Sequence, residues 1–398
     1  MSEAELRAHR SPLWSAAARS RSTVRASIRL APRWARPGLA VAAFGVAATL
    51  PLFVGESSTA MENLVLAAAY VIMALGLNVV VGFAGLLDLG YVAFFAIGAH
   101  VAAHFGSAFW ANAGDGAGIA LFVSEPAASM PGIHVNFLII LVLAVIATTI
   151  AGVLIGVPTL RMRGDYVGIV TLAFGEIIGQ VAANGREIEY LGGSLTGGAG
   201  GMSAVDKVDL PFLEPFGGLD LRPWYWFALA LVALVLFVNF RLRDSRVGRA
   251  WMALRDDEGA AASVGVPIVR TKLLAYVVGA ALGGISGAFL ASYLSTVDPG
   301  QFTFSFSIFI LAMVVLGGLG SIWGAVLGAI ILSGINSYLL PRVLYDVPGK
   351  VGLDFDLSEI SSGIFGFLLV LMMLLRPEGL LPDRRHRMAV RLQQRQDA

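Results

Sequence analysis

The hydrophobic residues of this chain lie in long runs that are separated by short polar segments. A helix needs about 20 apolar residues to cross the hydrocarbon core of a bilayer, so these runs predict transmembrane helices. We place ten spans, at residues 38–54, 61–82, 86–105, 135–158, 166–183, 223–240, 273–296, 306–318, 321–340 and 360–375. The pair 306–318 and 321–340 also fits one long helix that breaks at Gly317–Gly320. The pattern predicts an all-α polytopic membrane protein with about ten transmembrane helices, some broken or re-entrant.

Composition supports a membrane protein and excludes several other classes. Only 14% of the 398 residues are charged, whereas soluble domains carry roughly 25%. Cysteine is absent, which excludes a disulfide framework, thiolate metal ligands and a cysteine nucleophile. The 47 glycines favour close contact between helices. Some of them recur every fourth residue in two ladders: Gly279, Gly283 and Gly287, and Gly320, Gly324 and Gly328. Each ladder predicts either tight packing or a smooth face on which a gate slides.

The distribution of basic residues predicts the orientation in the membrane. If the ten spans alternate and the N-terminus is cytoplasmic, 23 of the 28 Lys and Arg residues fall on the cytoplasmic side. The other five are Arg186, Lys207, Arg222, Arg342 and Lys350. Basic residues favour cytoplasmic segments. We therefore expect the N-terminal tail 1–37, the loop 241–272 and the C-terminal tail 376–398 to be cytoplasmic, with the membrane domain at 38–375. The basic tail 1–37 is expected to be disordered.

Polar residues inside two spans are candidates for a translocation path. The first group is Gly82, Gly85, Asp88 and Gly90, where glycines and a carboxylate interrupt an apolar stretch. Charges at such depth are expensive unless they face protein or water, and broken helices expose backbone groups that bind substrates. The alternative is that Asp88 caps the following helix.

The second group is Thr171 and Glu176, on the span that follows Arg161 and Arg163. We expect Glu176 to be buried away from lipid, either along the path or in a hydrogen bond between helices.

No catalytic residue is expected on this chain. A phosphate-binding loop needs Gly-Lys followed by Ser or Thr, but the one Gly-Lys pair, Gly349-Lys350, is followed by Val351. The nucleophile-elbow pattern Gly-x-Ser-x-Gly is also absent. The sequence predicts a transport conduit, or one subunit of a conduit, with no metal or cofactor of its own.

The loop 241–272 contains a predicted amphipathic helix. Within its central part, Gly248–Pro267, the residues Trp251, Leu254 and Ala261 share one face, and Gly265 with Pro267 supplies a stop. A short amphipathic helix between two spans is suited to docking on a partner protein. The alternative is a helix that lies on the membrane surface.

Several segments resemble a known family. The loop keeps the spacing of the Glu-Ala-Ala-x3-Gly motif of ABC importer permeases, with Gly259 in place of the Glu. Further segments resemble the branched-chain amino-acid permease family, LivM type: Gly85–Ala99, Leu160–Tyr166, Ile169–Ile178 and Arg376–Pro382. The resemblance covers about residues 61–382 and leaves out the extension 1–37.

The resemblance implies a non-catalytic subunit of an ATP-driven importer for Leu, Ile and Val in a bacterial inner membrane. Its implied partners are a second, LivH-type permease, two ATPase subunits that bind ATP and Mg²⁺, and an extracytoplasmic binding protein. The residues implied in ATPase coupling are Trp251, Leu254, Arg255, Asp256, Asp257, Glu258, Ala260, Ala261 and Gly265. A urea or short-chain amide permease of the same family stays open. So does an ion-coupled carrier that works alone, although such a carrier is expected to have more buried carboxylates.

Overall fold

The computed structural model describes residues 35–56, 58–111, 118–124, 129–159, 162, 166–190, 193–210, 215–343, 361–376 and 378–381. The chain divides into two units, Met1–Gly55 and Glu56–Ala398. In the first unit, the described part is mainly one helix, α1 (Ala35–Phe53). Most of the two predicted tails, at 1–34 and 382–398, lies outside the described residues.

The second unit is built from helices. They are α2 (Thr59–Leu77), α3 (Val92–Phe105), α4 (Phe137–Thr159), α5 (Tyr166–Asn184), α6 (Arg222–Asp244), α7 (Arg246–Asp256), α8 (Glu258–Ser263), α9 (Ile268–Leu294), α10 (Phe304–Gly317), α11 (Ile322–Gly334) and α12 (Ser361–Leu375). Two of them continue as π-helical segments, Asn78–Phe83 after α2 and Ile335–Val343 after α11.

The predicted fold class is confirmed. Within the described residues, six helical segments are long and apolar enough to cross a membrane, and they begin at Thr59, Phe137, Tyr166, Arg222, Ile268 and Ile322. Four apolar helices are shorter, at Phe44–Phe53, Val92–Phe105, Phe304–Gly317 and Gly363–Leu375. One predicted boundary is wrong: the span expected from residue 86 becomes helical only at Val92. The proposed break near Gly317–Gly320 separates α10 from α11.

Helix α9 forms the centre of the second unit and packs against α2, α3 and α4. Its glycine ladder permits this close approach. A Cβ atom on Gly283 would lie 2.9 Å from Cβ of Phe94 on α3, and one on Gly287 would overlap the carbonyl oxygen of Phe95. The second ladder packs α11 against α10 in the same way, since a Cβ atom on Gly328 would overlap the carbonyl oxygen of Met313. Tight packing, the first of the two expectations for the ladders, is therefore what the structure has.

Short strands lie in the segments that connect these helices. They are β1 (Gly106–Ser107), β2 (Ile119–Leu121), β3 (Ile133–Val135), β4 (Glu189–Tyr190), β5 (Gly193–Ser194), β6 (Met202–Ser203) and β7 (Thr296–Val297). β3 pairs with β1 antiparallel and with β2 parallel, β4 pairs with β5, and β6 pairs with β7. β6 and β7 join the connection before α6 to the C-terminal end of α9, so these strands lie at the end of the bundle opposite α7 and α8.

A hydrogen-bonded histidine–aspartate pair holds this strand-bearing end together. Nδ1 of His134 lies 2.6 Å from Oδ2 of Asp206, and the His134 side chain is 1% exposed. Burial raises the pKa of Asp206 above its ordinary value, while the hydrogen bond with His134 acts in the opposite direction. The main-chain carbonyl of Asp206 also accepts a hydrogen bond from the hydroxyl of Ser292 on α9. These contacts fasten the long connection between α5 and α6 to the helical core.

Candidate functional site: a junction of two helix breaks

The first helix break follows α2. The π-helical segment Asn78–Phe83 ends in two main-chain hydrogen bonds, from Ala84 N–H to the Val79 carbonyl and from Leu86 N–H to the Val80 carbonyl. Gly85 has a φ of 69°, a conformation that costs glycine little and other residues more. The chain is then non-helical until α3 begins at Val92. Gly85 and Gly90 thus lie in a non-helical stretch next to the bundle core, whereas Gly82 still lies within the π-helical segment.

The second helix break lies between α10 and α11, where Gly318 and Gly320 both have positive φ, 118° and 79°. Asn78 joins it to the first break: its side-chain oxygen accepts a hydrogen bond from Gly320 N–H at 2.9 Å. Asn78 is fully buried. A buried amide is stabilised by hydrogen bonds. The Asn78 oxygen has this one, which links the two breaks, whereas its Nδ2 has no partner among the described residues.

Helix α7 closes one side of this junction. It begins at the cap residue Ser245, whose hydroxyl accepts a hydrogen bond from Gly248 N–H. Trp251 is fully buried, and its ring N–H donates to the Thr271 carbonyl on α9 at 2.8 Å. The Arg255 guanidinium donates a hydrogen bond to the Gly82 carbonyl in the first break. The loop helix is therefore in direct contact with a candidate path residue.

The C-terminal motif lies on the second break. Leu380 and Leu381 donate main-chain hydrogen bonds to the carbonyls of Leu316 and Gly317, both at 2.9 Å. Gly379, with a φ of 72°, packs against the backbone of Gly318. The second break thus contacts the C-terminal segment 378–381. It also contacts the first break, which lies more than two hundred residues earlier in the sequence.

Asp88 is seated between the first break and α5. Its Oδ1 accepts a hydrogen bond from Gly90 N–H at 2.9 Å, and the neighbouring Leu89 N–H donates to the Thr171 hydroxyl at 3.0 Å. The backbone of Gly90 packs directly on Gly175, where a Cβ atom would lie 3.0 Å from Cα of Gly90. Asp88 is 2% exposed, and its Oδ2 has no hydrogen-bond partner among the described residues. The carboxylate therefore braces the backbone of the break.

The structure separates the second pair of candidates. Thr171 is buried against the first break, whereas Glu176, on the same helix, is exposed. The described residues of this chain therefore do not bury Glu176, and its shielding from lipid stays a prediction. It shares an exposed face of α5 with Ala173, Gln180 and Asn184, because these positions are spaced by three or four residues.

The loop residues also turn out to face in different directions. Trp251, Leu254 and Ala261 are buried within the chain, so the expectation that this face docks on a partner is wrong. An amphipathic face covers whichever apolar surface is available, and here that surface is the chain's own bundle. Asp257 caps α8 by accepting from Ala260 N–H at 2.9 Å. Asp256, Ala260 and Gly265 are exposed.

Two residues of the site were not predicted from the sequence. Asn78 lies in an apolar run, and its isolated amide was the signal that identifies it. Lys272, at the start of α9, has a side chain that is 6% exposed and forms an ion pair with Glu258 of α8, with Nζ 2.8 Å from Oε1. A lone lysine at a span boundary is usually attributed to orientation in the membrane, so the sequence did not suggest this contact.

Comparisons with known proteins confirm the family resemblance of the sequence motifs. The family model for the branched-chain amino acid transport system, permease component, matches residues 59–373. The permease protein LivM of Salmonella typhimurium is 37% identical over 364 residues, covering 85% of this chain and 73% of LivM. LivM of Escherichia coli is 38% identical over 369 residues, covering 87% of this chain and 75% of LivM.

A weaker likeness extends to a second type of permease. LivH of Escherichia coli is 31% identical over 158 residues, which cover 40% of this chain and 46% of LivH. No solved structure matches the chain. The family match spans α2 to α12 and includes both helix breaks and the α7–α8 segment. The chain is a multi-pass membrane protein that belongs to the family of permease components of branched-chain amino acid transport systems.

Proposed function

We propose that this chain is the LivM-type permease subunit of an ATP-driven importer for branched-chain amino acids. The observation that carries the proposal is the position of the α7–α8 segment, which connects α6 to α9 and contacts the first helix break through Arg255. In an ATP-driven importer whose nucleotide sites lie on separate subunits, the permease receives its driving force through contact with those subunits. A short helical segment that touches both the surface and the broken helices is suited to that task.

The exposed side of α8 is our candidate for the ATPase-docking surface. Its exposed residues are Gly259, Ala260, Ala262 and Ser263, followed by Val264 and Gly265. Small side chains give a smooth surface that fits closely into a groove, and Val264, which is 78% exposed, supplies an apolar anchor. The buried residues Trp251, Leu254 and Ala261 hold this surface on the bundle. Of the residues implied by the family motif, Asp256, Ala260 and Gly265 remain available to a partner.

The exposed polar face of α5 is our candidate for contact with a LivH-type permease. Glu176, Gln180 and Asn184 lie on one face, and the Asn184 amide donates to the Gln180 side chain at 3.1 Å. A carboxylate in a membrane-spanning helix is expensive in lipid, so such residues face protein or water. A second permease subunit would cover this face and place Glu176 beside the path between the two subunits.

The remaining parts of the proposal follow the family resemblance. The substrate is delivered by an extracytoplasmic binding protein, and ATP and Mg²⁺ bind to the two ATPase subunits. The α7–α8 segment and both termini are cytoplasmic, in keeping with the distribution of basic residues. The strand-bearing end with the His134–Asp206 pair then faces the binding protein.

Reconstitution tests this proposal. The chain is purified with a LivH-type permease, ATPase subunits and binding protein from the same organism and placed in proteoliposomes. We expect uptake of labelled leucine that requires ATP and is abolished when the ATPase carries an inactive nucleotide site. Uptake of urea but not leucine would reassign the substrate. Leucine uptake by this chain alone, driven by a proton or sodium gradient, would refute the ATP-driven mechanism.

A further inference from the structure

Arg255 lies where helix α7 and both helix breaks meet. Its guanidinium donates to the Gly82 carbonyl near the end of the π-helical segment. A Cβ atom on Gly320, in the second break, would lie 2.6 Å from Nη1 of Arg255. The neighbouring Gly320 N–H is bonded to Asn78 in the first break. One side chain thus connects the loop helix to the two points where membrane helices are interrupted.

The carbonyl that Arg255 binds is a strong acceptor. The last carbonyls of a helix have no partner within that helix and carry the negative end of its dipole. Gly82 is the last residue but one of the π-helical segment. A guanidinium at this position supplies both a hydrogen-bond donor and a positive charge, which makes the contact stronger than one between neutral groups.

The space around Arg255 is closely filled. A Cβ atom on Gly85 would lie 2.7 Å from Cγ of Arg255 and 3.1 Å from its Cα. The stem of the side chain therefore lies directly on the backbone of the first break, and its head reaches the second. Because nothing larger than glycine fits at Gly85 or Gly320, α7 cannot shift relative to the breaks without moving them or losing the contact.

We infer that Arg255 is a positioning residue that transmits displacement of the α7–α8 segment to both helix breaks. The inference rests on the proposed function, in which α8 receives the movement of an ATPase subunit. Trp251 and the Glu258–Lys272 pair fasten the segment to α9, so α7 and the start of α9 move together. Arg255 is the contact that extends this movement to 78–90 and 317–320.

The test compares three variants in the reconstituted complex. Arg255→Gln removes the charge and the contact, and Arg255→Lys keeps the charge but not the planar fork of donors. Arg249→Gln is the matched control, because Arg249 lies on the same helix and also donates to a main-chain carbonyl, that of Asp244 at 3.0 Å. Leucine uptake and ATP hydrolysis are both measured, together with copurification of the subunits.

Transmission through Arg255 predicts a change in the ratio of uptake to hydrolysis. For Arg255→Gln we expect leucine uptake per ATP hydrolysed to fall by about tenfold or more, as for loss of a charged hydrogen bond. Arg255→Lys should be intermediate and Arg249→Gln close to wild type. If Arg255 only stabilises the loop, uptake and hydrolysis fall by the same factor, which would overturn the inference. If the Arg255→Gln complex does not assemble, the Arg255→Lys complex is measured in its place. A wild-type ratio of uptake to hydrolysis in that complex would also overturn the inference.

A second measurement separates this inference from the proposed function. If the wild-type complex shows no ATP-dependent uptake, the proposed function fails. Hydrogen exchange of the isolated subunit in detergent then still tests the link. Arg255→Gln should accelerate exchange of the Leu86 and Gly320 amides, whose bonds lie in the two breaks, while Arg249→Gln should not. Unchanged exchange at both amides would show that Arg255 does not hold the breaks.

Discussion

Replacement of Asp88 distinguishes a carboxylate that braces the backbone from one that binds substrate. Asp88 accepts a hydrogen bond from Gly90 N–H at 2.9 Å and is 2% exposed. Asp88→Leu removes the acceptor and leaves a buried N–H unpaired, which costs about 1–3 kcal/mol. Asp88→Asn keeps an oxygen acceptor in the same place and removes a charge whose second oxygen has no described partner.

The two substitutions should therefore differ in both stability and transport. We expect Asp88→Asn to retain much of the leucine uptake and to unfold at a temperature no lower than wild type. Asp88→Leu should lose most uptake, because about 1–3 kcal/mol is a factor of roughly 5 to 150 in the population of the intact break. Uptake is measured in the reconstituted complex at matched expression, and unfolding of the purified subunit is followed in detergent.

Either of two results would refute this reasoning. If Asp88→Asn fails as completely as Asp88→Leu while remaining folded, the charge itself has a role, such as binding a substrate ammonium group. A zwitterionic amino acid also carries a carboxylate, which a buried Asp would repel at short range, so we do not expect that result. Wild-type uptake in Asp88→Leu would show that the break needs no brace.

Two further predictions concern other parts of the structure. Gly320→Ala should reduce leucine uptake more than it reduces subunit assembly, since the φ of Gly320 is 79° and the new Cβ would lie 2.6 Å from Nη1 of Arg255. Uptake equal to that of the wild type would contradict the tight contact between Arg255 and the second break. His134→Ala should lower the free energy of unfolding by about 1–3 kcal/mol, because Asp206 loses its partner. Because burial raises the pKa of Asp206, its carboxyl is protonated at a higher pH than an ordinary aspartate, and the loss of stability should be largest at neutral pH and shrink as the pH falls toward the ordinary aspartate range. Thermal unfolding of the variant and the wild type at several pH values measures this loss. A loss of stability that grows in acid would contradict the prediction.

The spans were predictable because long apolar runs have few alternatives in a membrane protein. The start of α3 could not be predicted, since Leu86, Leu87 and Leu89 are as apolar as the helix that follows. Hydropathy does not distinguish a helix from an extended segment that is buried in protein. The position of Leu89 depends on a hydrogen bond from its N–H to the Thr171 hydroxyl, 82 residues away in the sequence.

The surface that covers the apolar face of the amphipathic loop helix was also not predictable from the sequence. Trp251 and Leu254 define an apolar face, but periodicity does not identify the surface that covers it. Burial of Trp251 depends on the carbonyl of Thr271 and the start of α9. Glu176 illustrates the opposite case, since a single chain leaves exposed a residue that a second subunit is proposed to cover.

The most direct test of the account is the accessibility of a single cysteine in place of Ala262. The wild-type chain has no cysteine, and Ala262 is exposed on α8, so labelling reports this site alone. The account predicts no reaction with a membrane-impermeant thiol reagent in intact cells, rapid reaction in inverted vesicles stripped of ATPase, and protection when the ATPase subunits are added back. Labelling in intact cells, or no protection by the ATPase, would contradict the proposed orientation and coupling surface.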